Sequence, residues 1–315
     1  MNVLHTQVGS LSLESPLLTA SGTFGHDPAA LAFLKSGDLG ALVLKTVTPD
    51  ARVGNPNPRM CEWTGGVMNS IGLENKGLAY WRDHVAPKLA ATPVPVVANA
   101  GGHDLDEYGV MTAAFDAMEG VAAIELNLSC PNVKGGTQFS TDPDALQQVV
   151  RLCREQTQKP MWVKLSPNVA SIAPLAQAAE EAGADGLVVC NTVLGLLVDW
   201  RTRKPRLGNG YGGMSGPAVR PVAMRMVWEC FKATKIPIIA SGGANTADDV
   251  LDFVVAGATA VQIGTASFRR PDAISRIAAE LRTVLAENDF TLDSLRGSLE
   301  WPTPVSCAGA ASRTS

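Results

Sequence analysis

Eight short hydrophobic segments recur along the chain, each separated from the next by a longer stretch with helical periodicity. The segments are nearly continuous and rich in β-branched residues, which is typical of strands buried on both faces of a parallel sheet. They span residues 16–21, 41–46, 95–100, 122–129, 161–166, 186–191, 237–241 and 260–265. The helical candidates span residues 27–36, 77–90, 104–118, 142–157, 170–182, 217–233, 246–256 and 271–287. This alternation predicts an α/β fold, a (β/α)8 TIM barrel. A doubly wound open sheet is the alternative, but it usually has fewer strands.

The segments outside this alternation predict additions to the barrel. Residues 1–15 have the pattern of a β-hairpin that turns at Gly9-Ser10 and could close the barrel floor. Two connections, 47–76 and 193–216, are too long for simple turns, and such long loops are usually functional. We expect them to be inserted at the C-terminal face of the strands, with a small hairpin near Thr64 in the first. Residues 1–301 are predicted to form a single barrel domain, and 302–315 a flexible tail.

Composition and charge narrow the class of protein. The chain has 315 residues and a formal net charge of −4, and it contains no basic block, so we expect no nucleic-acid partner. No apolar segment is long enough to span a membrane, and the N-terminus lacks the pattern of a signal peptide. The six cysteines form no CxxC pair, which argues against a disulfide framework or a zinc site. A cytoplasmic protein in a reducing setting is predicted.

Each predicted strand ends in a polar residue or in glycine. In a TIM barrel the C-terminal ends of the strands meet at one rim, where active sites lie. Two lysines and several amides are expected there, and we expect no carboxylate, so the site should bind anions and heterocycles rather than a metal. The polar residues at these ends are Ser21, Lys45, Thr46, Asn99, Asn127, Lys164, Asn191 and Thr192.

Glycine clusters follow the last strands. Gly242-Gly243 and Gly264-Thr265 lie after strands seven and eight, where TIM barrels often bind phosphate through backbone N–H groups. Gly216, before the helix that follows strand six, could complete the same cup. Together these positions favour a phosphorylated cofactor or substrate. The alternative is that the glycines serve only tight turns.

The two lysines at the rim permit two kinds of chemistry. Lys164 lies within an apolar segment where a solvated lysine is unexpected, and an ammonium group there could stabilise negative charge on a reduced cofactor. Lys45 has the same potential. Either lysine could instead form a Schiff base, which defines a rival class, a lyase or aldolase acting on a phosphorylated carbonyl compound. A barrel that only docks a partner is a third hypothesis, with little support.

Cys130 lies where strand four opens into a loop, within the sequence LNLSCPN (126–132). Its neighbours are polar, whereas a structural cysteine usually has apolar ones. No histidine has an obvious position beside it, although His26 and His103 stay possible, and the rim is expected to lack Asp and Glu. A thiol in this position could act as a base on a carbon made acidic by an adjacent carbonyl group.

These motifs closely resemble the class 1 dihydroorotate dehydrogenases, and the 1B form in particular. The combination of NLSCPN, NSIGLEN and GGMSGP in one chain is highly specific, and matching segments run in order from about residue 20 to 270. They are SGTFG (21–25), LKTVT (44–48), RVGNPNPR (52–59), NSIGLEN (69–75), ANAGG (98–102), IELNLSCPNVKGG (124–136), VKLSPNV (163–169), CNT (190–192), KPRLGNGYGGMSGPAVRP (204–221), SGG (241–243) and IGTA (263–266).

The resemblance implies FMN in the barrel mouth and oxidation of dihydroorotate to orotate in pyrimidine biosynthesis. Cys130 would take the proton from C5 while the hydride leaves C6 for the flavin. FMN would be bound by Ser21, Lys45, Thr46, Asn99, Asn127, Lys164, Cys190, Gly216, Gly242, Gly243, Gly264 and Thr265. The substrate would be bound by Lys45, Asn69, Ser70, Ile71, Gly72, Leu73, Asn127, Asn191 and Thr192.

The resemblance also bears on the electron acceptor. The 1B form resembles half of a heterotetramer, two copies of a chain such as this one and two of a partner that carries FAD and a [2Fe–2S] cluster and reduces NAD⁺. The implied assembly therefore contains a homodimer of this chain. The 1A form, a homodimer that passes electrons to fumarate, is the alternative. The membrane-bound class that uses quinone has a serine base, and it fits less well.

Overall fold

The predicted barrel is present in a computed structural model that describes residues 2–129 and 139–302. Its eight parallel strands are shorter than the hydrophobic segments that predicted them, because each segment runs on into the turn at its end. In chain order the strands are β1 (Leu17–Thr19), β2 (Leu42–Val43), β3 (Val96–Ala100), β4 (Ala123–Asn127), β5 (Met161–Lys164), β6 (Gly186–Val189), β7 (Ile238–Ser241) and β8 (Ala260–Ile263).

The strands pair in barrel order, β1-β8-β7-β6-β5-β4-β3-β2. The two ends of this sheet meet where Leu18 bridges Ala41 in parallel, and the Gly40 N–H donates to the Leu17 carbonyl at 2.8 Å. Each residue on the inner face therefore has partners from two neighbouring strands. The register pairs Asn127 with Lys164 and Asn99 with Glu125, which brings these four side chains to one end of the barrel.

Helices alternate with the strands and pack around the sheet. They are α1 (Gly77–His84), α2 (Ala86–Leu89), α3 (Leu105–Asp116), α4 (Pro143–Glu155), α5 (Ala173–Glu181), α6 (Arg220–Ala233), α7 (Ala247–Val255), α8 (Thr265–Arg269), α9 (Ala273–Glu287) and α10 (Leu292–Leu295). The segment predicted as a helix over 27–36 is a 3-10 helix, Pro28–Phe33, and it contains no buried residue. The residues of this segment are apolar, but none of them is buried, so the segment lacks the packing that stabilises most α-helices. None of the helices within the described ranges has the length and apolar character needed to cross a membrane.

Two predicted helix starts are confirmed by their caps. The Asp142 side chain accepts from the Asp144 N–H before α4, with Pro143 in the first turn. Thr246 and Asp249 form a capping box at the start of α7. These caps satisfy backbone N–H groups that have no partner within the helix.

The N-terminal hairpin closes the barrel floor, as predicted. Its strands, Thr6–Val8 and Leu11–Leu13, pair antiparallel. Val8 and Leu13 are fully buried in a core cluster with residues from the inner face of the barrel, including Trp162. The opposite end of the barrel is therefore the end left open for a ligand.

The two long connections form a second sheet over the open end. Its antiparallel strands, in order, are Val193–Gly195, Gly212–Ser215, Gly66–Asn69 and Met60–Trp63. The small hairpin predicted near Thr64 is part of it. A further pair, Val198–Asp199 and Lys204–Pro205, extends from the same connection. We call the four-stranded sheet the outer sheet. It brings residues 69–73 over the barrel mouth.

Candidate active site

A cavity of about 1270 Å³ lies between the barrel mouth and the outer sheet. This volume exceeds the usual range of sites for one small ligand, about 300–1,000 Å³, and it has room for a cofactor together with a substrate. Of the predicted site residues that the structure describes, all line the cavity except Asn99. Cys130 lies outside the described residues, so its predicted role stays a prediction.

Asn99 is fully buried beneath the cavity, beside a carboxylate that the sequence analysis missed. Glu125 on β4 is fully buried, and its two oxygens accept from Asn99 Nδ2 and from Gln262 Nε2, each at 2.7 Å. Lys164 Nζ lies 3.7 Å from Glu125 Oε1 and donates to Ser21 Oγ at 3.1 Å. The expectation that the site contains no carboxylate is therefore wrong. Glu125 lies just below the rim, where it supplies the counter-charge that a buried lysine requires, and Glu62 lines the cavity itself.

Another carboxylate, Glu74, pairs with Lys45 at the cavity edge. Lys45 Nζ lies 2.7 Å from Glu74 Oε2, and the hydrogen bond with Lys45 lowers the pKa of Glu74. The charges of Lys45 and Glu74 both affect the pKa of His26. Burial first, and then the Lys45 ammonium, lower the pKa of His26 to about 4, so its ring is neutral at pH 7. The ammonium group of Lys45 is the cation that an anionic ligand would meet here.

The amides at the rim are held by one another. Asn127 Nδ2 donates to Thr46 Oγ1 at 3.1 Å, and Ser129 Oγ donates to Asn127 Oδ1 at 2.6 Å. Asn191 Nδ2 donates to Ser129 Oγ, and the Thr192 N–H donates to Asn191 Oδ1 at 2.8 Å. Because each amide is fixed by a neighbour, the rim has a defined set of donors and acceptors.

The glycine clusters come together on one wall of the cavity, which we call the anion cup. Gly216, Gly242 and Gly243 have φ values of 100°, 143° and 87°, in the region that favours glycine. Within the described residues, the backbone N–H groups of these three glycines and of Gly264 have no hydrogen-bond acceptor. Thr265, at the start of α8, donates to Ser215 Oγ at 2.9 Å. Four unpaired N–H groups beside a helix start form a site suited to a phosphate group.

A phosphorylated heterocycle such as FMN fits these donors. The close approach at the anion cup depends on glycine, because a Cβ at Gly243 would lie 2.7 Å from the Gly216 carbonyl oxygen. Nearer the barrel axis, the buried Oε1 of Gln262 has no partner within the described residues, and this side chain lines the cavity. An acceptor in that position suits an N–H or O–H group of a ligand.

Cys190 lines the cavity but is chemically inert as a base. Burial is the main cause that raises its pKa to about 12. Its thiol is therefore protonated at neutral pH. Within residues 2–129 and 139–302 it is the one cysteine that lines the cavity. No group of three or more His, Cys, Asp or Glu residues in those same ranges could hold a metal ion.

Sequence reasoning missed several residues of the site. Glu125 lies within the quoted segment IELNLSCPN, but no sequence signal places it beside Gln262, which is 137 residues away. Glu74 is within the motif NSIGLEN, and an acid next to a predicted anion site could have suggested a pair with Lys45. Ser129 and Gln262 also line the cavity.

Comparison with known proteins gives one consistent family. The family described as dihydroorotate dehydrogenase matches residues 3–285. A protein of Geobacter sp. (strain M21), named "Dihydroorotate dehydrogenase B (NAD(+)), catalytic subunit", is 46% identical over 299 residues, which are 94% of this chain and 98% of that protein. A protein of Listeria monocytogenes serotype 4b (strain CLIP80459) with the same name is 45% identical over 282 residues, 89% of this chain and 93% of that protein. The crystal structure of DHODH in complex with ferulenol from Eimeria tenella superposes with a TM-score of 0.79 at 22% identity, covering 95% of this chain and 89% of that one, which shows a shared fold.

Proposed function

The chain belongs to the dihydroorotate dehydrogenase family, and from that premise we propose that it oxidises dihydroorotate to orotate in pyrimidine biosynthesis with FMN in its cavity. The observation that carries the proposal is the shape of this one cavity. It joins an anion cup of unpaired backbone N–H groups to a rim of fixed amides and two lysines. A phosphate group and a carboxylate-bearing heterocycle are complementary to those two ends.

The residues that would hold FMN fall into two sets. Gly216, Gly242, Gly243 and Gly264 would bind its phosphate through their N–H groups, with Thr265 beside them. The ring system would contact the barrel mouth, where Lys164 supplies a positive charge next to Ser21. When bound, FMN supplies the chemistry of a two-electron acceptor. The remaining predicted contacts are Lys45, Thr46, Asn99, Asn127 and Cys190, of which Asn99 would act from beneath, through Thr46 and Glu125.

The substrate would lie between the rim and residues 69–73 of the outer sheet. Lys45 would bind its carboxylate in competition with Glu74, and Asn127, Asn191 and Thr192 would face its ring. Cys130 would remove the proton. Two features support that role. Cys190, the described cysteine in the cavity, is protonated at neutral pH, and Cys130 directly follows Ser129, which lines the cavity.

The chain is proposed to pass its electrons to NAD⁺ through a second subunit that carries FAD and a [2Fe–2S] cluster, two copies of each chain forming the assembly. The names of the relatives, which specify NAD(+) and a catalytic subunit, support this acceptor over fumarate. Exposed apolar side chains at Leu194, Leu196, Val198 and Trp200 support association of the chain with other subunits or with a second copy. A cytoplasmic setting is proposed because Cys61, Cys153, Cys190 and Cys230 are free thiols.

The proposal is tested by the isolated chain and an artificial electron acceptor. We expect the purified protein to release FMN on denaturation and to reduce the acceptor only when dihydroorotate is supplied. A protein without flavin that is inactivated by borohydride in the presence of a phosphorylated carbonyl compound would favour the Schiff-base lyase. Flavin without dihydroorotate-dependent reduction would contradict the proposed substrate.

A further inference from the structure

A continuous chain of side-chain hydrogen bonds crosses the floor and rim of the cavity, from the barrel interior to the loop after β6. Each bond joins residues from different strands or loops, except that between Asn127 and Ser129. The inner members are fully buried, and the outer members line the cavity. From the interior outward, the members are Glu125, Asn99, Thr46, Asn127, Ser129 and Asn191.

The buried carboxylate determines the direction of the first bonds. A carboxylate can only accept, so Asn99 must turn its NH₂ group to Glu125, at 2.7 Å, and its carbonyl oxygen away. That oxygen accepts from the Thr46 hydroxyl. A hydroxyl has one proton, so the Thr46 oxygen is left as an acceptor. It accepts from Asn127 Nδ2 at 3.1 Å.

The same logic carries the direction to the substrate rim. With its NH₂ group turned to Thr46, Asn127 presents its oxygen to the Ser129 hydroxyl at 2.6 Å. Because the Ser129 hydroxyl donates its one proton to Asn127, its oxygen accepts from Asn191 Nδ2. Asn191 Oδ1 accepts from the Thr192 N–H at 2.8 Å. The amide oxygens of the rim are therefore engaged, and the groups left for a ligand are amide N–H donors.

We propose that Glu125 is a positioning residue, which fixes the inner end of this chain of hydrogen bonds and thereby holds Thr46 and Asn127 in the donor and acceptor roles described above. Amides and hydroxyls alone can reverse their roles. Glu125, which can only accept, prevents reversal at the inner end, and the Thr192 N–H, which can only donate, does so at the outer end. Lys164 at 3.7 Å supplies the counter-charge that keeps Glu125 buried. The resulting rim selects ligands that present carbonyl or carboxylate oxygens.

This inference rests on the proposed function, because it takes orotate, the proposed product, as the probe. The dissociation constant of orotate is measured on the oxidised holoenzyme from the change in flavin absorbance. Glu125→Leu removes the acceptor, and Glu125→Gln keeps an acceptor oxygen for Asn99 while removing the charge. We expect Glu125→Leu to weaken orotate binding about tenfold or more, and Glu125→Gln, whose amide can turn either its oxygen or its NH₂ group to Asn99, to weaken it less, in line with the free energy of a buried hydrogen bond.

A substitution at Thr46 interrupts the same chain of hydrogen bonds at a second point, and it tests whether the effect of Glu125 reaches the rim through these bonds. Thr46→Val should weaken orotate binding as Glu125→Leu does, and Thr46→Ser should restore it. The double variant Glu125→Leu/Thr46→Val should bind orotate no more weakly than the weaker single variant, because either interruption already separates the rim from Glu125. Additive losses would overturn the proposal, as would a Glu125→Gln variant as weak as Glu125→Leu, which would assign the effect to charge.

The outcomes separate the two claims. A wild-type holoenzyme that does not bind orotate contradicts the proposed function. A wild type that binds orotate, with Glu125→Leu binding equally well at full FMN occupancy, overturns the positioning role. If Glu125→Leu fails to fold or to retain FMN, the comparison of Thr46→Val with Thr46→Ser tests the proposal instead. Orotate binding by Thr46→Val within about threefold of the wild type would then overturn it.

Discussion

The proposed proton transfer in the cavity requires a thiol that can lose its proton. Cys190 lies in the cavity wall, but burial raises its pKa to about 12 and leaves it protonated. A base for the proposed oxidation has to come from elsewhere, and Cys130 is the residue that the resemblance assigns. The proposed proton transfer therefore depends on one side chain, which can be substituted singly.

Cys130→Ser should retain FMN and slow reduction of the flavin by dihydroorotate about 10²–10⁴-fold, because serine is a far weaker base. Stopped-flow absorbance under anaerobic conditions gives the rate. Cys61→Ser is the control, since Cys61 does not line the cavity and should reduce its flavin as the wild type does. Reduction of Cys130→Ser at the wild-type rate would remove Cys130 from the mechanism.

His26 should make the stability of the protein depend on pH. Burial and Lys45 lower its pKa from 6.5 to about 4. Between these two values the unfolded state binds the proton more tightly, so stability present above pH 6.5 is lost as the pH falls toward 4. Urea unfolding of the wild type and His26→Gln at several pH values measures this. The difference in unfolding free energy should shrink on acidification, and parallel curves would contradict the assignment.

Single residues also show how far the sequence could predict the site. Lys164 and Asn127 could be placed at one rim because the ends of parallel strands converge. Glu125 could not be assigned a role, because its partners Asn99, Gln262 and Lys164 come from three other strands. These four side chains come into contact only in the strand register of the closed barrel, and the hydrophobic periodicity of the sequence does not specify that register.

Three separate elements build the anion cup. Gly216 follows a strand of the outer sheet, Gly242 and Gly243 follow β7, and Gly264 precedes α8. The position of the last two loops in a TIM barrel was sufficient to suggest a phosphate site there. The part played by Gly216 was harder to predict, because it depends on Gly212–Ser215 pairing with Gly66–Asn69, a contact between two insertions far apart in the chain.

Gly243→Ala should weaken FMN binding while leaving most of the fold intact. The new Cβ would lie 2.7 Å from the Gly216 carbonyl oxygen and 2.9 Å from Arg220 Cβ, so the cup would have to open. We expect FMN affinity to fall about tenfold or more, since a strained left-handed residue costs roughly 1–2 kcal/mol and the cup geometry is lost as well. FMN titration of the apoprotein, followed by flavin fluorescence, measures the affinity.

Gly37→Ala is a matched control for that change. Gly37 has a similar φ of 80°, but a Cβ there would meet no atom within 4 Å, and Gly37 does not line the cavity. Gly37→Ala should lower the free energy of unfolding, because it introduces a comparable backbone strain, and it should leave FMN affinity unchanged. Equal losses of FMN affinity in both variants would assign the effect to general destabilisation rather than to the cup.

In the whole molecule, the apolar core at the barrel floor and the polar cavity at the barrel mouth lie at opposite ends of the barrel axis. The floor is filled by apolar side chains from the hairpin and the inner faces of the strands, and the mouth carries the polar residues and the outer sheet. The alternation of segments was sufficient to predict the barrel and the hairpin. The outer sheet was not predictable, because its strands come from two loops whose only local signal is one hairpin turn.

Leu13→Ala should lower the free energy of unfolding by about 2–5 kcal/mol, because Leu13 is fully buried in the core cluster that it forms with Val8 and Trp162 at the barrel floor. Leu11→Ala, at a partly buried position of the same strand, should cost less. Both variants should bind FMN as tightly as the wild type, since the cavity is at the opposite end. Urea unfolding and FMN titration measure the two quantities. A loss of FMN affinity in folded Leu13→Ala would show that floor and mouth are coupled.

The proposal that FMN binds in the cavity and accepts electrons from dihydroorotate there can be tested in a single turnover. The most direct measurement is to mix the purified holoprotein anaerobically with dihydroorotate, with no other electron acceptor, and to follow the flavin absorbance while quantifying orotate. We expect the flavin absorbance to bleach and orotate to form in an amount equivalent to the flavin. A flavin that stays oxidised, with no orotate formed, would contradict it.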